Sequence, residues 1–495
     1  MPLPSLRPVL ARFRNIFAAM LLGIVLIACL LMVSSREPVA APVAPSPDTI
    51  ESSPDQPSRT SDSAVATVPR IAFSTEELLG TADPATAGSL VFDLQGDGKP
   101  ALLVWSSKGI QLYTSGFSPV AAEPLASFKD VRDVTAADFN NDGTQDLCVI
   151  AAGRVSILTN RKGSLEPPGS GYNFKGQFVR ALWLDLDHDG DLDLILLGVR
   201  PLALRNQNAA GFVPIHRAIP FVSGSALAGV VLRRISEPKA ADFVVSYRNR
   251  AGVLYQDRLD GTFEAKNLPA LPAEARLLRA GDFTGDGAED LAFLSGRNAT
   301  LLENLGSSWK IRKSVPTDGG YLFADFANLA VQDWLAGGVL LAGDDAGFSQ
   351  SRDMAVATAA TALVAADFDL DGKLDLAGVA KDGSILRCLN QTATENHWMR
   401  IGLRDVAGAR TVEGTVVTVK MGDRMQQFLY GATPLHVGMR SFLTADSVQL
   451  TWPDGIVQTE PNLETNKAYV LKKASPTGSS GISAAPPVSS PTASR

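Results

Sequence analysis

Four aspartates between positions 185 and 193 carry the densest chemistry in the 495-residue chain. The stretch reads DLDHDGDLDL, with Asp185, Asp187, Asp189 and Asp193 at its positions 1, 3, 5 and 9 and Gly190 at position 6. Carboxylates this close repel one another, and a hard divalent cation with oxygen ligands removes that repulsion. Calcium fits best, because it accepts roughly six to eight oxygens in a flexible shell. Oxygens at 1, 3 and 5 followed by a turn-forming glycine are how an EF-hand loop begins. Here the loop closes with Asp at 9 and runs directly into an apolar strand, so it joins strand to strand. The competing reading is a solvated acidic turn that holds no ion.

The same word recurs. Asp138, Asn140, Asp142 and Asp146 stand at the four ligand positions of DFNNDGTQDL. Asp282, Thr284, Asp286 and Asp290 do so in DFTGDGAEDL, and Asp367, Asp369, Asp371 and Asp375 in DFDLDGKLDL. Asp93, Gln95 and Asp97 begin DLQGDGKPAL, whose ninth position is Ala101. Two intervals between these starts are near double the usual spacing of about 46 residues, which predicts two hidden copies. One has Asp242 at position 9, with Arg234 and Pro238 where ligands would be, and the other is DFANLAVQDW, with Asp325 and Asp333 at positions 1 and 9 and Ala327 and Leu329 in place of the middle ligands. A Gly, often followed by Phe, recurs later in the copies, as at Gly116-Phe117, Gly211-Phe212 and Gly347-Phe348, and in Gly261-Thr262-Phe263. The register therefore contains seven copies.

The elements that position these loops are short strands. After Asp138 come LCVIAA and RVSILTN, and after Asp367 come LAGVA and SILRCLN, bounded by Gly, Asn and Asp. Four strands in such a repeat make one propeller blade. The expected fold is all-β: a seven-bladed β-propeller followed by a small β-sandwich, with an N-terminal transmembrane helix. Trp105, Trp183, Trp309 and Trp334 read as blade packing, with a sugar-stacking platform as the alternative.

The D-x-[DNT]-x-D-G-x-x-D-L loops, with LYQDRLDGTFE at Leu254–Glu264, resemble the FG-GAP/VCBS repeats of integrin-α-type propellers. The literal FG and GAP words are mostly missing, as in the bacterial VCBS branch. The resemblance covers residues 70–390 and implies calcium at the four complete loops, with Asp93, Gln95 and Asp97 forming a set that lacks its last carboxylate.

Beyond the repeats the pattern changes to alternating strands. In DSVQLTW, Val448, Leu450 and Trp452 fall on one face. Pro453-Asp454-Gly455 is a tight turn. NHWMRI at Asn396–Ile401 and DSVQLTWPDGIVQT at Asp446–Thr459 resemble the ASPIC/UnbV domain, also found in cartilage acidic proteins. Tyr430–Gly438 matches that family's glycine-rich stretch poorly, and the family implies no particular chemistry.

Arg7, Arg12 and Arg14 precede an uncharged apolar run over Ile16–Val33, long enough to cross a bilayer with the rest of the chain outside. Leu26-Ile27-Ala28-Cys29 resembles a lipobox, and a cleaved signal is the third reading. The expected organisation is an anchor or signal over 1–34, a Pro/Ser/Ala-rich tether over 35–69, the propeller over 70–392, the sandwich over 393–473 and a disordered tail over 474–495. A net charge of −7 and a pI near 5.3 argue against nucleic acid. Three cysteines allow no disulfide framework, and Cys148 and Cys388 read as buried thiols. His188 reads as solvent-facing, and His216, His397 and His436 as structural.

The sequence contains no G-x-S-x-G elbow, P-loop or H-E-x-x-H. The expectation is therefore a non-enzymatic, calcium-binding scaffold at the cell envelope, membrane-anchored and extracytoplasmic, whose partner is an envelope or extracellular protein or glycan. An envelope enzyme acting on polysaccharide and a lectin-like module are the alternatives.

Overall fold

The computed structural model describes residues 69–474 and 481–484, except 168, 170–171, 216–218, 235, 345–346, 354–359, 406–410 and 432. The apolar run over 16–33, the tether and His216 lie outside the described residues. No helix among the described residues is long and apolar enough to cross a membrane.

Residues 73–390 form seven sheets, six of four strands and one of five. Their first strands are Gly88–Phe92, Val131–Ala137, Phe178–Leu184, Ala226–Val231, Arg276–Gly281, Tyr321–Ala324 and Ala360–Ala366. Numbered in that order, the sheets are blades 1 to 7. Each of the seven sequence copies, including the two hidden ones, falls in its own blade as the loop between the first and second strands.

The second strands explain the unbroken apolar runs. Asp146–Ala151, Asp193–Gly198 and Asp375–Ala380 are buried at every residue. A strand covered on both faces has no solvent side for polar residues to occupy. Seven apolar clusters lie between successive blades and run round the whole ring. Trp105, Trp183 and Trp334 belong to three of them, and Trp309 packs against a fourth. The tryptophans are blade packing, as expected.

The ring closes by a pairing that the repeat pattern does not announce. Phe73–Thr81, upstream of the first acidic loop, adds to blade 7 as its outermost strand, with Phe73 opposite Asn390 and Leu78 opposite Ile385. The two ends of the repeat region are thus hydrogen-bonded within one sheet. Cys148 and Cys388 are buried free thiols.

The C-terminal residues form two four-stranded sheets. Met399, Ile401, Val437 and Leu471 from one and Val417, Val419, Val448 and Leu450 from the other share a core with Trp452, which makes a β-sandwich. The turn after Trp452 is closed by Gly455 N–H donating to the Trp452 carbonyl at 2.8 Å, with Gly455 at φ 84°. One expectation is corrected here. Gly481–Ala484, assigned to a disordered tail, pairs with Lys467–Lys472 as an edge strand. Four residues, Gly-Ile-Ser-Ala, are too few to show a strand period of their own, and backbone pairing places them.

Candidate metal-binding face

Four of the acidic loops share one backbone solution. Their position-1 carboxylate accepts the N–H groups of positions 5 and 6, curling the loop around itself, whereas in blade 7 Asp367 accepts from Gly372 at 3.2 Å and the Asp371 N–H turns to Asp369. Asp185 accepts from Asp189 at 3.2 Å and Gly190 at 2.9 Å, and Asp138 accepts from Asp142 and Gly143 at 3.0 and 2.9 Å. Asp93 and Asp282 repeat the pattern. Position 6 takes positive φ in these loops, 94° at Gly190 and 88° at Gly372, which explains glycine there. Position 4 is also left-handed, although its residues include Asn141, His188 and Leu370.

The position-9 carboxylate has a second structural task. Asp193 Oδ1 accepts the N–H of Asn206 at 2.7 Å, and its Oδ2 accepts that of Leu186 at 2.8 Å. Asp146, Asp290 and Asp375 hold Asn160, Asn304 and Asn390 in the same way. Each of these asparagines is the last or next-to-last residue of a third strand, and its side-chain amide donates to backbone carbonyls. Asn160 reaches Leu94, Asn206 reaches Phe139 and Asn390 reaches Phe326, in each case in the preceding blade. Sequence reasoning passed over these asparagines. The available signal was their recurrence, since the quoted runs RVSILTN and SILRCLN both end in Asn.

Oxygens converge in two loops. Carboxylate atoms of Asp185, Asp187 and Asp193 lie within 4.8 Å of one another, and so do those of Asp367, Asp369 and Asp375. The position-5 residues stand apart from these groups. Asp189 Oδ1 accepts from Asp191 N–H at 3.0 Å, and Asp371 accepts from Lys373 N–H and pairs with its ammonium at 2.8 Å. In blade 1, Asp97 is similarly paired with Lys99 at 3.0 Å. Blades 2 and 5 place Asp138 with Asp146 and Asp282 with Asp290 at the loop ends, with Asn140 Oδ1 turned to Asp142 N–H. Thr284 Oγ1 in blade 5 is buried beside the Asp290 carboxylate, which accepts the Thr284 N–H at 3.0 Å.

Burial sets the electrostatics. Desolvation pushes Asp193 and Asp146 up to about 8, with neighbouring aspartates adding to the rise and backbone donors opposing it. Asp367 and Asp375 are pushed up to about 7 and Asp185 to about 6 for the same first reason. Among the described residues Asp367 Oδ1 is buried with no hydrogen-bond partner. Carboxylate oxygens in that condition fit a cation or a proton. An all-oxygen set of this kind suits a hard cation.

The two degenerate loops solve the problem differently. In blade 4, Arg234 Nε lies 2.9 Å from Asp242 Oδ2. The guanidinium occupies position 1 and supplies positive charge to the position-9 carboxylate. In blade 6, Asp325 keeps the curl by accepting from Leu329 and Ala330 at 2.8 and 2.7 Å. His188 corrects another expectation. It is half-buried, its Nε2 lying 3.2 Å from Asp257 Oδ2 of blade 4. Asp257 stands at the position that Asn206 fills one blade earlier, so blade 4 exchanges an amide for a carboxylate and blade 3 supplies an imidazole to meet it. The Asp257 contact raises the pKa of His188 against the opposing effect of burial.

The sandwich domain sits on this loop face. Thr411 N–H donates to the Gly190 carbonyl at 2.9 Å, and Arg440 N–H and Nε donate to Asn328 and Leu329 at 2.9 and 2.7 Å. Arg404 donates to the carbonyls of Gly96 and Gly143, His436 Nε2 meets Asn328 Oδ1 at 2.8 Å, and Arg400 Nη1 lies 3.8 Å from Asp367 Oδ2. The loop face is therefore a domain interface. A gap stays open beside the blade 5 loop, a cavity of about 340 Å³ whose lining includes Thr284, Phe283, Phe348, Gln427 and Phe428.

Comparison with protein families identifies FG-GAP-like repeats at residues 93–149 and 138–196 and an ASPIC and UnbV domain at 408–478. No match is found among curated protein sequences. Similar solved structures include an Agrocybe aegerita lectin described for recognition of non-reducing terminal N-acetylglucosamine. It is 15% identical, covering 54% of this chain and 80% of that one, with a TM-score of 0.43. The extracellular domain of a putative hybrid two-component system from B. thetaiotaomicron is 10% identical over 81% of this chain and 59% of its own, at 0.43. The β-propeller domain of Vanderwaltozyma polyspora Nup133 is 9% identical over 66% and 100%, at 0.37. The chain thus carries FG-GAP-like repeats in a β-propeller, followed by an ASPIC/UnbV domain.

Proposed function

We propose that the protein is an extracytoplasmic interaction scaffold whose propeller is stiffened by calcium. In this reading Asp185, Asp187 and Asp193 hold one ion, and Asp367, Asp369 and Asp375 hold a second. Asp138, Asn140 and Asp146, and Asp282, Thr284 and Asp290, would serve two more, with Asp189, Asp371, Asp142 and Asp286 as the position-5 oxygens of the same loops. Asp93, Gln95 and Asp97 would form the weakest site. Bound calcium supplies positive charge that offsets carboxylate repulsion. The protein's own atoms do the rest: position 1 curls the loop, position 9 ties it to the third strand, and the sandwich packs over it.

The observation that carries this reading is the orphaned, buried Asp367 Oδ1 inside a three-carboxylate cluster. Calcium stabilises such loops only where it is abundant, at extracellular-type sites with dissociation constants of about 10⁻⁴ to 10⁻³ M. That agrees with an exported, membrane-tethered chain acting in adhesion or assembly at the envelope. With the loop face covered by the sandwich, a protein or glycan partner would meet the rim or the opposite face. The test is a thermal melt of the soluble fragment in excess calcium and in chelator. A rise in Tm with calcium is expected, since a ligand bound only by the folded state must stabilise it. An unchanged Tm would sink the calcium reading.

The cavity beside Thr284 favours a second reading as a glycan-binding module. Its aromatic walls and amide rim have the character of a saccharide site. A glycan array probed with the same fragment, and with Phe428→Ala, separates this reading from the first.

A further inference from the structure

The axis of the propeller carries an unbalanced positive charge. Arg279, in the first strand of blade 5, donates from Nη2 to the carbonyl of Leu363 in blade 7 at 3.1 Å. On the way its guanidinium lies 5.8 Å from the ring centroid of Tyr321, in the intervening blade 6. A side chain that reaches past its neighbouring blade to the next must run along the central channel. Its other electrostatic neighbour is Arg180 of blade 3, which again is not adjacent. Two guanidinium groups from separate blades therefore face one axial space.

Among the described residues Arg180 has a counter-charge and Arg279 has none. Arg180 Nη1 pairs with Asp133 Oδ1 at 2.8 Å, and the other oxygen of Asp133 accepts Ala181 N–H at 3.0 Å. Asp133 is thereby fully engaged. The Tyr321 hydroxyl donates to the Leu277 carbonyl, so its phenol offers Arg279 a ring face and no anion. Arginine keeps its charge in proteins, and a charge withdrawn from water needs a partner. Arg279 is half-buried, and its partial desolvation weighs most against its charge, with the nearby Arg180 adding to the effect.

Access is one-sided. The acidic loops follow the first strands, and the sandwich covers that end. Arg180 and Arg279 precede their loops by five and three residues, so Arg180 stands nearer the open end, with its side chain 35% exposed. The separation along the strand direction is about 7 Å at roughly 3.3 Å per residue. An entering anion meets Arg180 first and Arg279 deeper.

We infer that the axial channel is a binding site for a small oxyanion, a carboxylate or a phosphate- or sulfate-type group, seated on Arg279 and flanked by Arg180. A guanidinium with uncommitted N–H donors recognises such groups in a bidentate manner. The site is separate from the loops and takes ligands of opposite charge.

Acetate and sulfate serve as probes, titrated into the full chain against chloride at equal ionic strength. A rise in Tm of about 2–4 °C is expected with at least one of them at about 50 mM. The same shift is expected to vanish in Arg279→Gln. Sulfate stabilises proteins generally by exclusion, so only the difference between wild type and variant counts. Acetate acting alone assigns the site to carboxylates, and sulfate acting alone to tetrahedral oxyanions. If Arg279→Gln fails to fold, Arg279→Lys replaces it, with calorimetry expected to show about tenfold weaker binding of the active probe. Equal shifts in wild type and Arg279→Gln, equal affinity in Arg279→Lys, or no response to either probe would overturn the inference.

Discussion

Asp193 and Asn206 hold each other across blade 3: the aspartate accepts the asparagine's backbone N–H at 2.7 Å, and the asparagine's amide then reaches the Phe139 carbonyl of blade 2 at 2.8 Å. The acidic loop, the third strand and the neighbouring blade are thereby one hydrogen-bonded unit. A residue first read as a cation ligand is also a strut.

Asn206→Ala should destabilise the propeller by about 1–3 kcal/mol, because it leaves two buried carbonyls, of Phe139 and Leu192, without a donor. Asn304→Ala should cost less, since among the described residues the Asn304 amide reaches only Glu289 of its own blade. Urea denaturation of the two variants checks the order, and equal losses would refute the inter-blade role.

The loop carboxylates predict an inverted pH response. In the cation-free protein their folded pKa values are raised, to about 7 for Asp367 and about 8 for Asp193. The folded state then binds more protons than the unfolded state between about pH 4 and 8, so stability falls as pH rises through that window. Tm in chelator should decline from pH 5 to pH 8, and calcium should remove the decline. A flat profile in chelator would show that burial does not raise these carboxylates above their unfolded values.

His436 predicts the opposite sign at the domain interface. Burial pushes it down to about 3, with the Arg400 charge adding to the effect, and it meets Asn328 Oδ1 beside the Trp398 ring. A base with a depressed folded pKa contributes its full stability above the unfolded value near 6.5, and that contribution is lost as pH falls toward the folded value. His436→Gln should therefore be less sensitive than wild type to a shift from pH 7.5 to pH 5, by about 1–2 kcal/mol. Paired melts in saturating calcium isolate this term from the loops.

Arg234→Met removes the guanidinium that stands in for a cation in blade 4, leaving Asp242 buried and unpaired. A loss of about 2–3 kcal/mol is expected. Adding Asp242→Asn removes the stranded charge while keeping an acceptor for Asp257 N–H. More than half of the loss should return in chemical denaturation, and no recovery would mean that the pair is not an electrostatic unit.

Much of the fold was legible because the acidic loop is a local device. Its curl needs only a carboxylate at position 1 and a left-handed residue at position 6, and both are spelled out in consecutive residues. The spacing of those words placed seven blades, even where Arg234 and Ala330 had replaced the usual types. Position 9 was legible as a carboxylate but not as a strut, because its partner Asn206 lies a strand away.

What the chain alone determined, then, was the number of blades, the apolar second strands and the stations of the acidic side chains, since each depends on periods within a repeat. Tertiary structure decided what no local period encodes. Phe73–Thr81 closes the ring only by meeting Ser384–Asn390 from the far end of the domain. His188 turns inward because Asp257 faces it from the next blade. The sandwich covers the loop face, and Arg279 reaches an axis that exists only once seven sheets have closed around it. Those relationships join residues tens to hundreds of positions apart, and a sequence read in windows has no term for them.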